Sequence, residues 1–447
     1  MEQAGFIVGI DLGTSKIVGV LGRKNEQGVI TVLASESIPS DSCVRYGVIY
    51  NIDEAAGKIK KLISLLENKT GKKIGKAYVS VGGKSLRAIE HTETYLQDED
   101  TPVTFAILDR MEQQAKLNKP PFFTNYSVLA PEYYLDGKYE EDPIDKTATT
   151  IEGHYRLIVG RPNIKNNLQK TLTEKAQIEI AGYIVGPVAA GALVLDEADR
   201  QAGCALVDFG AGTTTVSVYK DGLLRHMAVI PFGGRTITKD VAELGFVPAS
   251  AETYKIRYGR VGKDKAKPIE GESVSPDVDL RELNKVIQLR QDEILLNVIN
   301  QIRLSGYIDQ LEAGIIIIGG ASQLNGLAEY FADKSKMPVK KGGVKRVYIN
   351  NVSDLIQNPA FTQSLGLLLF GNENCEKKEV VAPAEPVYTA PVVETQPQQP
   401  IVDKKEDQEE DSQSKKKKKK EDKKQTSLFS FFEKIQNFGG TMFEEEE

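Results

Sequence analysis

Two short stretches of this 447-residue chain set an acid, glycines and hydroxyls between apolar runs. The first is FIVGIDLGTSKIVGVLG (6–22), whose turn carries Asp11, Gly13, Thr14, Ser15 and Lys16. The second is ALVDFGAGTTTVSVYKDGLLRHMAVIPFGG (205–234), with Asp208, Gly210, Gly212, Thr213 and Thr214 at its first turn and Gly233-Gly234 at its end. Glycines let backbone amides approach an anion, and the hydroxyls of Thr14, Ser15, Thr213 and Thr214 add donors. Lys16 supplies a point charge. This is the chemistry of phosphate binding. An Asp at a strand end, Asp11 or Asp208, repels phosphate and suits a hydrated divalent cation that bridges to it. Either hairpin taken alone is equally an ordinary turn built from Asp and Gly, because short glycine motifs decide little.

A third element adds weight. AGIIIIGGASQLNGLAEYF (313–331) reads as a buried strand, a Gly319-Gly320 turn with Ser322 and Gln323 behind it, and the start of a helix. Paired glycines after a strand let the backbone lie against a flat ligand such as adenosine. Upstream, SAETYKIRYG sets Glu252 and Lys255 three apart on one helix face, where both can contact a ribose or adenine. The same spacing also describes a solvated ion pair.

The elements that position these residues follow from the wider pattern. Each phosphate-type stretch is a β-hairpin, and two of them so far apart suggest a duplication, two related lobes facing each other. The length allows about two to four packed units. With 57 Lys and Arg against 63 Asp and Glu, the net charge of −6 offers no general attraction to nucleic acid. Cys43, Cys204 and Cys375 are too few and too scattered for a disulfide framework or a zinc site. His91, His154 and His226 share no motif and are read as packing or surface residues; Arg235 and Lys239, just after Gly233-Gly234, are read as surface residues, with an approach to the phosphates as the alternative. MEQAGFIVGID lacks the basic stretch and apolar run of a signal peptide, and no window reaches the roughly 18 apolar residues of a spanning helix. The expectation is a cytoplasmic protein whose membrane contact, if any, is peripheral.

Hairpin, hairpin and strand-Gly-Gly-helix in this order resemble the actin, Hsp70 and sugar-kinase superfamily. Within it the chain is similar to the FtsA family of bacterial cell-division proteins. GIDLGTSKI (9–17), LVDFGAGTTTVSVYKDGLLRHMAVIPFGGRTITKDVA (206–242), SAETYKIRYG and IIIIGGASQLNGL carry the likeness, which extends over about 5–371. It implies an α/β, two-lobed actin-like fold of duplicated ribonuclease-H-like halves with a small inserted subdomain. It also implies ATP and Mg2+ as ligands, with Asp11 and Asp208 holding the Mg2+ through water. The first lobe is expected at 1–85 and 161–200, and the inserted subdomain at 86–160, anchored by VLAPEYYLDG (128–137). The second lobe is expected at 201–235 and 308–373, and an outer subdomain at 236–307 is the face that would bind the FtsZ tail. The other implied partners are further copies of the chain in actin-like filaments and later division proteins at the inserted subdomain.

Two departures stand out. DPIDKTATTIEG (142–153) differs from the family's usual loop. In YIVGPVAAGAL (183–193), Gly186 stands where hydrolytic relatives have a water-orienting Glu, so ATP binding with slow or absent hydrolysis is expected.

Composition changes near Asn374. Pro, Gln, Glu and Lys then dominate to Lys424, the signature of a disordered linker that as a coil spans roughly 40 Å. TSLFSFFEKIQNFGGTMFEEEE follows in 425–447, with Leu428, Phe429, Phe431, Phe432, Ile435 and Phe438 along one stripe of an amphipathic helix. A Lys-rich run, 415–424, lies directly before it. Near anionic lipid each Lys contributes about 1 kcal/mol, and each large apolar side chain about 1.5–3 kcal/mol before ordering costs. The pairing reads as a peripheral anchor for anionic inner-membrane lipid, placing the protein on the cytoplasmic side at the division septum. A sugar or small-molecule kinase of the same fold is the alternative, with a pilus-assembly relative behind it. An Hsp70-like chaperone is excluded by the lack of a β-rich domain after about residue 373.

Overall fold

The computed structural model describes residues 5–263, 275, 278–350 and 354–377. The linker beyond Lys377 and the apolar stripe Leu428–Phe438 lie outside the described residues.

The chain opens with an antiparallel meander, β1 (Ile7–Leu12), β2 (Lys16–Lys24) and β3 (Ile30–Pro39), and a small ribbon, β4 (Val44–Arg45) and β5 (Val48–Ile49). Helix α1 (Ile52–Thr70) then crosses to β6 (Lys76–Val81), which pairs parallel to β1. α1 forms where Asn51 caps its first turn and Gly71, at φ 67°, ends it. Its buried Ala55, Ala56, Ile59, Leu62, Ile63 and Leu66 recur at helical spacing and cover the sheet.

An inserted segment follows: β7 (Arg87–Leu96), α2 (Phe105–Leu117), β8 (Thr124–Leu135), β9 (Lys138–Glu140) and β10 (Thr150–Gly160). It has its own small core around Met111, Tyr155 and Leu157. The chain returns through α3 (Asn163–Gln169), β11 (Glu179–Val185), α4 (Gly186–Val194) and α5 (Glu197–Ala202).

A second meander repeats the first: β12 (Cys204–Phe209), β13 (Thr214–Lys220) and β14 (Leu223–Ile230). The outer helices α6 (Gly234–Ala242), α7 (Pro248–Tyr258) and α8 (Leu280–Leu304) come next. Then come β15 (Gly314–Ile318), α9 (Leu327–Ser335), β16 (Val339–Lys341), β17 (Ile349–Asn350), α10 (Asp354–Gln357) and α11 (Thr362–Phe370).

The duplication is visible in the strand order. One sheet runs β11-β6-β1-β2-β3-β17; the other begins β16-β15-β12-β13-β14. In both, an antiparallel meander is extended at its first strand by two parallel neighbours. The second sheet continues into β7-β10-β8-β9 of the inserted segment through a single pairing, Ala228 with Arg87. Arg225 on β14 reinforces that junction with an ion pair to Glu132 on β8.

Strand parity sorts the core. On β12 and β15, Leu206, Ile316 and Ile318 face the first lobe, whereas Val207, Phe209, Ile315 and Ile317 face the outer helices. Burial on both faces accounts for the unbroken Ile315–Ile318 run.

Two expected boundaries are corrected. The segment 308–373 does not stay in the second lobe. β17 pairs with β3, and α11 buries Leu365, Leu367 and Leu368 in the first-lobe core, because a helix apolar on most of its surface needs cover on several sides. The ordered chain also runs past Asn374: Cys375 is buried, its amide donates to the Phe6 carbonyl at 2.8 Å, and Glu376 bridges Ile74. Composition is blind to four residues that bond the segments leading into β1 and β6. Among the described residues, no helix is long and apolar enough to cross a membrane.

Candidate nucleotide and cation site

Both meander turns line one cavity of about 1490 Å³. A methyl group on Gly212 of the second turn would lie 2.5 Å from Thr14 Oγ1 of the first, so the turns pack directly together. The first turn is strapped from behind: Ser40 Oγ donates to Gly13 O at 2.6 Å, and the Gly47 amide donates to Thr14 Oγ1 at 3.1 Å. Arg235 and Lys239, for which the sequence favoured the surface over an approach to this site, both line the cavity, and Arg235 donates from Nη2 to Thr14 O at 2.9 Å. Lys16 lines the cavity too, with Nζ 3.6 Å from the centre of the Phe361 ring; burial lowers its pKa, and Asp11 opposes that.

Asp11 and Asp208 occupy equivalent places near the ends of β1 and β12, and both carboxyls line the cavity. Each is held through one oxygen. Ser80 Oγ on β6 donates to Asp11 Oδ1 at 2.6 Å, and Gln363 Nε2 on α11 donates to Asp208 Oδ2 at 2.5 Å. Burial raises the pKa of Asp11, with Ser80 and Lys16 opposing it. Burial likewise raises Asp208 to about 6, with Gln363 opposing and the Asp11 charge adding to the rise. Two desolvated acids on one cavity wall, one raising the other's pKa, fit a cation between them and the ligand. Among the described residues no cluster of three His, Cys, Asp or Glu side chains could hold a metal ion directly.

Beside Asp208, Gly319 has φ 88°, and a side chain there would run into Asp208 Oδ1 and the Phe209 carbonyl. Glycine is therefore required on both counts. Gly320 and Gln323 line the cavity beside it. Lys255 on α7 does pair with Glu252, at 2.8 Å, yet the pair lines the cavity. The Lys255 ammonium also bonds Gly234 O at 3.0 Å and Thr238 Oγ1 at 2.9 Å, so all three of its protons have acceptors. Burial lowers its pKa, and Glu252 opposes the shift.

Three expected residues stand off the cavity wall. Thr214 is fully buried and donates to Phe232 O at 2.9 Å; strand alternation turns Thr213 and Thr215 to the cavity in its place. Ser322 is buried with its hydroxyl on Gly319 O, where it shapes the adenosine-type turn. Gly233 packs against the Gly210 and Ala211 carbonyls and leaves Gly234 to face the cavity. Asp11, Gly13, Thr14, Ser15, Lys16, Asp208, Gly210, Gly212, Thr213, Gly234, Glu252, Lys255, Gly319, Gly320 and Gln323 do meet around it. Sequence reasoning missed Ser80, Thr238 and Gln363, which lie outside the quoted glycine turns, and Thr215, which lies inside one but was passed over for Thr214.

A family model described as Cell division protein FtsA matches residues 205–366, from the second phosphate-type turn through the Gly319-Gly320 turn. The cell division protein FtsA of Pseudomonas aeruginosa is 28% identical over 381 residues, spanning 83% of this chain and 90% of that protein. The FtsA of Porphyromonas gingivalis is 30% identical over 325 residues, spanning 71% of this chain and 68% of that protein. The chain belongs to the FtsA family of cell division proteins. Membership sets aside the small-molecule kinase reading. Among solved structures, the PilM–PilN type IV pilus biogenesis complex matches with a TM-score of 0.58 at 16% identity, over 83% of this chain and 99% of that one. At that identity the likeness is one of fold, and the fold is the actin-like type expected from the two phosphate-type turns.

Proposed function

We propose that the protein binds ATP with a hydrated Mg2+ between its two phosphate turns and tethers FtsZ filaments to the inner membrane during septum formation. The carrying observation is the pair of carboxylates, Asp11 and Asp208, at equivalent strand ends of the two halves, both lining one cavity with the glycine turns and both with pKa raised by desolvation. Backbone amides of Gly13 to Lys16 and Gly210 to Thr213 would receive the phosphates, and the Gly319-Gly320 turn, Glu252 and Lys255 the nucleoside. Bound Mg2+ would supply positive charge between the carboxylates and the phosphates. With Gly186 in place of a water-orienting acid, binding rather than turnover is the expected use of ATP.

Family membership supports the division role and self-assembly into actin-like filaments. The outer helices α6 to α8 are assigned to the FtsZ tail, and the inserted segment 86–160 to later division proteins. The Lys-rich run and the stripe of Leu428, Phe429, Phe431, Phe432, Ile435 and Phe438 are assigned to anionic lipid on the cytoplasmic face at the septum.

Liposome co-sedimentation of the full chain and of a 1–425 truncation, with and without ATP-Mg and an FtsZ-tail peptide, tests the assignment. The full chain should pellet with anionic vesicles and carry the peptide down, while the truncation stays in solution. Equal pelleting of both would remove the tail from the role of anchor.

A further inference from the structure

Position 186 lacks a side chain, and the space it leaves is filled. A methyl group on Gly186, the first residue of α4, would overlap Oε1 of Gln363. Gln363 lies in the first turn of α11, and a second glycine brings it there. Gly366, one turn further along, sits against the Ala189 carbonyl with no room for a side chain, so α11 crosses α4 with the two backbones in contact. The Gln363 amide is thereby delivered to the head of α4, where its Nε2 donates to Asp208 Oδ2.

We propose that Gln363 is a positioning residue for the cation site, and that Gly186 is the space its amide requires. The inference rests on the reading of the cleft as an ATP–Mg2+ site. A buried carboxylate needs a partner to fix its orientation. A Lys or Arg partner would fix it and cancel its charge. A neutral amide orients Asp208 and leaves the negative charge for the cation, as outer-shell partners of metal ligands do. Gly186 and Gln363 therefore act as one unit: a Cβ at 186 displaces the amide as surely as deletion of the amide does.

The test is titration of the full-length protein with a fluorescent ATP analogue, in EDTA and in Mg2+. Gln363→Met keeps the packing and removes the donor; Gly186→Ala keeps the donor and takes its space. In the wild type Mg2+ should tighten binding. Both variants should lose about tenfold of that gain, with affinity in EDTA within about twofold of wild type and an unchanged melting temperature for Gln363→Met. The double variant Gly186→Ala/Gln363→Met should be no worse than either single one. A full Mg2+ gain in Gln363→Met, or an equal loss in EDTA and in Mg2+, overturns the positioning role alone. A wild-type protein that binds no ATP analogue in either condition overturns the reading of the cleft, and one that binds without a Mg2+ gain removes the cation from it.

Discussion

Nη2 of Arg235 donates to the carbonyl oxygen of Thr14 across 2.9 Å, joining residues 221 positions apart in the chain. The contact ties the helix behind the second phosphate turn to the tip of the first. It places a guanidinium on the cavity wall. Arg235→Ala removes a charged donor from a polar cavity, and such donors contribute about 1.5–3 kcal/mol. The expected result is a loss of about tenfold or more in ATP-analogue affinity. Arg235→Lys should recover little, since an ammonium does not reproduce the planar fork. Wild-type affinity in the Ala variant would return Arg235 to the surface role its sequence context suggests.

Leu368 is fully buried in α11, beneath β1 and β2, and a methyl on Gly22 would lie 3.0 Å from its Cδ1. Leu368→Ala should destabilise the protein by about 2–5 kcal/mol, read as a lower urea midpoint. It should also weaken nucleotide binding, because the same helix carries Gln363. A loss of stability with affinity intact would show that the cleft tolerates movement of α11.

His226 on β14 is hydrogen-bonded to Gln301 of α8 at 3.2 Å, and its pKa is lowered by burial, with the Gln301 contact opposing. A lowered histidine pKa means that the folded protein holds fewer protons than the unfolded chain as pH drops below about 6.5. Its contribution is therefore complete above that pH and is lost as pH falls. Urea midpoints at pH 7.5 and 5.5 should show a drop in the wild type and a smaller one in His226→Gln. Equal drops in the two proteins would assign the pH dependence to other groups.

Much of the site was legible in the linear chain because its parts are contiguous. A turn between two antiparallel strands keeps acid, glycines and hydroxyls within a few residues, so Asp11, Asp208 and the Gly319-Gly320 turn are visible as motifs. Neighbours in sequence are still not neighbours in function. Thr214 and Thr215 differ by one residue, and the two-residue period of a strand turns one into the core and the other to the cavity.

What the amino-acid sequence determined by itself is the duplicated meander, the acid, glycines and hydroxyls of its turns, and the family, since these depend on local order and residue type. Only the tertiary structure decided which distant side chains finish the site. Ser80 reaches Asp11 from 69 residues away, Gln363 reaches Asp208 from 155, and Arg235 reaches Thr14 from 221. No periodicity marks a single Gln in an apolar helix as a partner of a carboxylate. That role arises when α11 returns to the first lobe to bury its leucines, and when two glycines let it cross close enough for the amide to arrive.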